Sequence, residues 1–252
     1  MIIPPPSLCK SNQRPLQSLC KCCNQKAVLW DVCDFGKSAF KHLNSIYGYP
    51  IYYYKCQNCS FIFTNDINNF TKKDFLHFIY NQDYIKFDPD FKEKRPQSNS
   101  ELILNICKNK TLKYLDYGCG NGEMLKILNS KGYNFEGYDP FSKYFNTKPS
   151  KKYQIITCFE VMEHTIDTLK LHKEIFSLLE ENGIIIFSTL FQPNEIETLK
   201  TNWWYIAPRN GHFSFYTQNS LINLYKKINK NYTLLSLSSG FHIAYNVNFP
   251  PF

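Results

Sequence analysis

Two cysteine pairs, Cys20-x-x-Cys23 within "CKCC" and Cys56-x-x-Cys59 in "CQNC", stand near the start of the chain. A two-residue gap lets both thiolates of a pair reach one ion, and four thiolates are the usual tetrahedral set for structural zinc. Cys22, next to Cys23, leaves the register of the first pair open. A second constellation is "YLDYGCGNGEML", where Asp116 precedes glycines 118, 120 and 122, and a further acid, Asp139, follows "NFEGY". Glycines in such a turn let backbone approach a ligand without Cβ interference, and a helix starting near Glu123 would offer its free N–H groups. A third is "CFEVMEHT": if this segment opens a helix, Glu160, Glu163 and His164 share a face and could ligate a divalent cation or carry acid–base chemistry. A fourth is "TNWWYIAPRNGHFSFYTQNSL", in which Trp203, Trp204 and Tyr205 offer stacking surface, Arg209 can grip a phosphate or carboxylate, and His212 follows an Asn-Gly turn.

The elements that must position these residues follow from the hydrophobic pattern. Residues 1–15 carry prolines and little periodicity and read as an irregular arm. Residues 16–65 form a small module around the cysteine pairs, with "PIYYYKCQNCSFIFT" suggesting a hairpin about the second pair. Residues 66–111 read as a helical connector. From 112 to 252 strand and helix alternate: "LKYLDYG" strand, "EMLKILNSKG" helix, "NFEGYDP" and "YQIITCF" strands, "IDTLKLHKEIFSLLEENG" helix, "IIIFSTL" strand. Short apolar strands separated by amphipathic helices indicate an α/β fold with a parallel sheet covered on both faces. The tail, with "GHFSFYT" read as a strand, "QNSLINLYKKINK" as a helix and "YTLLSLSSGFHIAYN" as a strand, is expected to close one edge of that sheet.

Composition narrows the classes of function. The chain has 252 residues, 43% hydrophobic and 17% aromatic, which is globular. A formal charge of +8 favours an anionic partner, but the lysines are scattered, so a nucleic-acid footprint is not indicated. No apolar run approaches the ~20 residues of a membrane span, and the opening "MIIPPPSLCKSNQRP" lacks the order of a secretion signal, so a cytoplasmic protein is expected. Ten cysteines in that setting point to metal or burial in place of disulfides.

The glycine turn differs from the dinucleotide fingerprint, which needs a third glycine where this chain has Glu123. A glutamate at the helix start would repel pyrophosphate. With Asp116-x-Gly118-x-Gly120 followed by Asp139, the segment resembles the first motifs of class I S-adenosylmethionine-dependent methyltransferases. The whole chain, with its four-cysteine module, is similar to bacterial sugar- and capsule-polysaccharide-modifying methyltransferases. That resemblance implies a seven-stranded Rossmann-like sheet, S-adenosylmethionine held by Asp116, Gly118, Gly120, Asp139, Phe159 and Glu160, and a structural zinc on Cys20, Cys23, Cys56 and Cys59. Too few residues separate Asp139 from "YQIITCF" for the usual helix and third strand, so the sheet is expected to be shortened there. His212 and His164 are the candidate bases, with Glu160 as a further catalytic candidate, and Trp204, Tyr205, Arg209 and His212 the candidate acceptor contacts. Some quinone O-methyltransferases resemble the E-x-x-E-H arrangement and use it for a metal, whereas many metal-free relatives carry a similar Glu-His. The expected reaction is methylation of O or N on a small anionic acceptor such as a sugar, nucleotide-sugar or phosphorylated capsule precursor. An RNA methyltransferase and an inactive zinc-bearing binding module are the alternatives.

Overall fold

In the computed structural model, residues 15–251 are described; nearly all of the N-terminal arm lies outside them. The first elements are strands β1 (Gln17–Leu19), β2 (Lys26–Asp34), β3 (Pro50–Cys56) and β4 (Ile62–Thr64), then helices α1 (Lys72–Phe78), α2 (Tyr84–Phe87) and α3 (Lys94–Ile106). Strand β5 (Tyr114–Tyr117), helix α4 (Glu123–Ser130) and strands β6 (Phe135–Tyr138) and β7 (Tyr153–Cys158) follow. Helix α5 (Thr168–Ser177), strand β8 (Leu179–Ser188), helix α6 (Ile196–Leu199), strand β9 (Ser214–Phe215), helix α7 (Gln218–Ile228) and strands β10 (Tyr232–Ser236) and β11 (Phe241–Asn246) complete the chain. None of the described helices is long and apolar enough to cross a membrane.

These elements sort into two compact units that do not run consecutively. Unit 1 is Met1–Asp88 with Glu163–Leu169 and Leu190–Leu224; unit 2 is Pro89–Met162 with Lys170–Thr189 and Tyr225–Phe252. The consecutive division expected from sequence, a module at 16–65, a connector at 66–111 and a domain from 112, therefore does not coincide with the compact units. The physical reason is strand pairing across long sequence separations.

Unit 1 is built on an antiparallel five-stranded sheet in the order β1-β2-β3-β4-β9. The expected hairpin is present, with Tyr53 opposite Thr64 and Lys55 opposite Ile62. "GHFSFYT" does contain a strand, but β9 pairs with β4, Ile62 opposite Phe215 and Phe63 opposite Ser214, and not with the sheet of unit 2. Burial explains this choice: both faces of the β4–β9 pair are covered, with Phe61, Phe63 and Tyr216 on one and Phe213 and Phe215 on the other, and all five are essentially inaccessible. Phe61 lies 4.9 Å from Tyr216, ring centre to ring centre. Each such side chain contributes roughly 1.5–3 kcal/mol by leaving water, more than a two-residue strand could gain from its own ladder.

Unit 2 holds a six-stranded sheet in the order β10-β11-β8-β7-β5-β6. Strands β6, β5, β7 and β8 are parallel, and β11 joins β8 antiparallel. Six strands among the described residues, not seven, is a correction to the count implied by resemblance, and the shortfall falls where the sequence is short. Between β6 and β7 the chain forms no helix and no strand. It folds back instead, the Asp139 N–H donating to the Phe145 carbonyl at 2.9 Å. The Phe145 ring fills the space over two glycines, and a Cβ on Gly122 would lie 2.6 Å from it. Met124, Leu125 and Leu128 of α4 pack with Tyr114, Phe135 and Ile103 into the core on one face of the sheet.

Candidate functional site

The sheet of unit 2 reverses direction between β5 and β7, since the chain runs from β5 outward to β6 and then returns to the other side of β5. Ligands of open α/β sheets bind beyond the carboxyl ends of the strands at such a point. Asp116 lies on β5 at this end and is 5% exposed. Thr157, its register partner on β7, donates to its Oδ1 at 2.7 Å. Desolvation pushes the Asp116 carboxyl up to about 7, partly opposed by the Thr157 hydrogen bond and assisted by the nearby charge of Asp139. A buried acid poised near neutrality is suited to receive an ammonium group.

The turn after β5 has the geometry that its glycines require. Gly118, Gly120 and Gly122 all have positive φ, at 85°, 55° and 77°. A Cβ on Gly118 would sit 2.2 Å from Val161, so that position is closed by packing; one on Gly120 would meet nothing within 4 Å. Gly120 thus presents bare backbone to open space, as a cradle for a ligand does. Asp139 is locked in place: its Oδ1 accepts from the N–H groups of Phe141 and Ser142, and its Oδ2 from Gly120 N–H at 3.0 Å. Asp116, Gly118, Gly120 and Asp139 are therefore brought together in unit 2.

Glu160, two residues beyond the end of β7, is in the left-handed region, φ 54°, an uncommon conformation for a residue with a side chain and one that clusters at functional sites. The Ser188 hydroxyl receives the Glu160 N–H and donates to its carboxylate at 2.9 Å, and Arg95 lies 3.7 Å from the same carboxylate. Phe159 is in a different position from the one expected of a cofactor contact. Its side chain is 7% exposed and packs on Phe241 in the core. Thr157, Ser188 and Arg95 went unnoticed in the sequence; the one local signal was a polar threonine in the apolar strand "YQIITCF", facing a neighbour that only strand register reveals.

The expected helix at "CFEVMEHT" does not form. A single turn of 3-10 helix, Met162–His164, takes its place, so Glu160, Glu163 and His164 do not share a face. Glu163 and His164 join His212 in unit 1, their ligating atoms all within 4.8 Å of one another. Glu163 is 0% exposed and His212 8%. The two imidazole rings meet edge to face at 4.8 Å. His212 Nδ1 lies 2.9 Å from the Tyr205 carbonyl, which can only accept, so Nδ1 carries the hydrogen and Nε2 the lone pair of the neutral ring. His164 Nδ1 lies 3.2 Å from the Tyr80 hydroxyl.

The other acceptor candidates divide. Trp204 is 52% exposed, while Trp203 and Tyr205 are buried and Tyr205 packs on the His212 ring at 4.6 Å. Arg209 is buried: its guanidinium stacks 3.9 Å from the Phe87 ring centre and donates to the Ile79 carbonyl. Desolvation lowers its pKa, opposed by interaction with Tyr47. Such an arginine braces the 208–211 turn against the α1–α2 region and is not presented to an anion.

Cys20, Cys23, Cys56 and Cys59 form one buried cluster. The Sγ–Sγ separations are 3.6 Å for Cys20–Cys59 and 3.4 Å for Cys23–Cys56, close to the about 3.8 Å edge of a tetrahedron with Zn–S bonds of about 2.3 Å. Cys23, not Cys22, completes the set. Cys22 is buried beside it, and desolvation raises its thiol well above the ordinary range. The donor set and its dimensions fit a zinc ion.

Residues 91–235, more than half of the chain, match the family model described as "Methyltransferase domain". The chain belongs to that family. It is 26% identical to the ubiquinone biosynthesis O-methyltransferase of Actinobacillus pleuropneumoniae over 31% of this chain and 45% of that protein, so the match spans less than half the length of the relative. Among solved structures, an O-methyltransferase family protein from Burkholderia thailandensis superposes with a TM-score of 0.52 at 9% identity, covering 66% of this chain and 60% of that one. The magnesium protoporphyrin IX methyltransferase of Synechocystis with bound SAM gives a TM-score of 0.46 at 15% identity, over 72% of this chain and 94% of that one.

Proposed function

We propose that the protein transfers the methyl group of S-adenosylmethionine to an oxygen or nitrogen of a small anionic acceptor, of the class of sugars, nucleotide-sugars or phosphorylated capsule precursors. The observation that carries the cofactor half is the buried Asp116, acidic group held near neutrality, beside the open backbone of Gly120. Asp116 is assigned the amino group of the methionyl part and Asp139 the ribose hydroxyls, with Gly120 admitting the ligand to the turn, Gly118 letting the cofactor-binding turn pass close to Val161, and Glu160 lining the site. The bound cofactor supplies an electrophilic methyl on a sulfonium. Transfer then requires mainly alignment, plus a base when the acceptor is a hydroxyl or an ammonium.

His212 is assigned the base, with its lone pair on Nε2 and its Nδ1 hydrogen fixed by the Tyr205 carbonyl. Trp204, exposed on the same segment, is assigned acceptor stacking. The anionic character of the acceptor is supported by the net charge of +8 and no longer by Arg209. Cys20, Cys23, Cys56 and Cys59 are assigned structural zinc, and the reaction is placed in the cytoplasm.

The test is methyl transfer from labelled S-adenosylmethionine to a panel of nucleotide-sugars and phosphorylated sugars, with ribosomal and transfer RNA as comparison. Label in a nucleotide-sugar supports the reading. Label confined to RNA, with affinity falling steeply as salt rises, contradicts it.

A further inference from the structure

Glu163 is the most buried acidic side chain that the proposed chemistry leaves without a task. Its carboxylate lies within 4.8 Å of ring nitrogens of two imidazoles, and a carboxylate withdrawn completely from water needs compensating positive charge close by. The surroundings show which charge fits. On the His164 side stand the Tyr80 hydroxyl and, behind it, Tyr84. A Cβ on Gly211 would lie 2.9 Å from His164 Nδ1, so backbone closes that nitrogen. On the His212 side stands Tyr205, and the Glu163 carbonyl receives the Phe213 N–H. The charged groups on adjoining segments are directed elsewhere: Arg209 onto Ile79 and Phe87, and Lys21 onto the Thr64 and Ile166 carbonyls, with Asp167 near it. One proton on either ring brings the cluster of one carboxylate and two imidazoles to neutrality.

We propose that Glu163 is the positioning residue of a two-histidine base, orienting His164 and His212 and stabilising the imidazolium that forms when His212 accepts a proton. This deepens the acceptor reading above and rests on it for the reaction, though not for the titration. As the acceptor's lone pair takes the methyl group and the carbon–sulfur bond breaks onto sulfur, the acceptor's proton passes to Nε2 of His212. The new positive charge then faces the Glu163 carboxylate. Glu163 thus raises the proton affinity of the pair, and the acceptor belongs to the class that must lose a proton on methylation, a hydroxyl or a protonated amine.

The first experiment needs no acceptor: an NMR titration of the imidazole C–H resonances in the intact protein, assigned with His164→Gln and His212→Gln. In the wild type at least one ring of the pair titrates above the ordinary histidine value of about 6.5, and in Glu163→Gln it moves down by about one pH unit or more. Both rings at or below 6.5 in the wild type overturn the proposal even if no variant folds. Once an acceptor is in hand, the alkaline-rising limb of kcat/KM moves to lower pH in Glu163→Gln, and kcat falls about tenfold or more with KM little changed. Glu163→Asp, which keeps the charge, leaves the limb where it was. A kcat loss with an unmoved limb marks a merely structural role and overturns the proposal. So does a stoichiometric divalent ion, beyond one on the four thiols, whose removal abolishes activity. Absence of methyl transfer to any acceptor with the shifted imidazole intact contradicts the reaction reading and leaves the carboxylate's role standing.

Discussion

Unit 2 and unit 1 place their chemistry on the chain in opposite ways. In unit 2 the residues assigned to the cofactor are local: Asp116, Gly118 and Gly120 lie within one strand and its following turn, and Asp139 directly follows the next strand. In unit 1 the candidate base is assembled from far-separated segments. His212 precedes β9, β9 pairs with β4, and β4 begins at Ile62, shortly after Cys59 in the chain. Further bonds fasten the same segment: Lys37 Nζ donates to the Trp203 carbonyl at 3.1 Å, and Thr201 donates to Asp31 at 2.7 Å. Asn210 donates to the Phe87 carbonyl at 2.7 Å. The difference teaches that the four-cysteine segment shares one sheet and one compact unit with the segment carrying the proposed acceptor residues, and is not an appendage to it. Cofactor binding and catalysis should therefore respond separately to change.

The largest separation is expected at His212. His212→Ala lowers turnover by roughly 10²-fold or more, because a base in the transition state is lost, while affinity for S-adenosylmethionine stays unchanged in a calorimetric titration. A variant with near-normal turnover would remove His212 from the mechanism. Asp116→Asn gives the reverse pattern. It lowers cofactor affinity by roughly 10–100-fold, as loss of a charge-assisted hydrogen bond does, and leaves the fold of unit 1 intact by proteolysis.

The same carboxyl sets a pH dependence. The free protein binds a proton on Asp116 below about pH 7, and pairing with an ammonium requires that proton to leave. Cofactor affinity is therefore highest above pH 7 and declines up to tenfold for each pH unit below it, a slope absent in Asp116→Asn. A flat profile from pH 5 to 8 in the wild type would separate Asp116 from the ammonium. The smallest effect belongs to Trp204. Being half exposed, Trp204→Ala changes stability by less than about 1 kcal/mol and raises KM for the acceptor several-fold.

The same contrast governs what could be read from sequence. The glycine turn, its two acids, the strand–helix alternation and the two cysteine pairs were legible because each is a short-range pattern with a direct physical meaning. The absent third strand was legible too, as a connection too short to hold one. Long-range pairing was not. Nothing in "GHFSFYT" distinguishes an edge strand of one sheet from that of another, since both present the same aromatic alternation. The burial of Arg209 depends on Phe87 and Ile79, remote in the sequence, which a count of positive charge cannot reveal. The face shared by Glu160 and Glu163 assumed a helix, and the left-handed turn at Glu160 sends the two carboxylates to different units.

The central claim is that unit 2 binds the methyl donor independently while unit 1, organised around the four thiols, supplies the acceptor chemistry. It is tested most directly by titrating S-adenosylmethionine calorimetrically into the protein before and after metal is stripped from Cys20, Cys23, Cys56 and Cys59, with turnover measured on the same samples. The account predicts one equivalent of zinc released, cofactor affinity retained within about threefold, and turnover lost, because a small thiolate module without its metal does not stay folded. Unchanged turnover after complete removal of the metal, or loss of cofactor binding together with turnover, would contradict it.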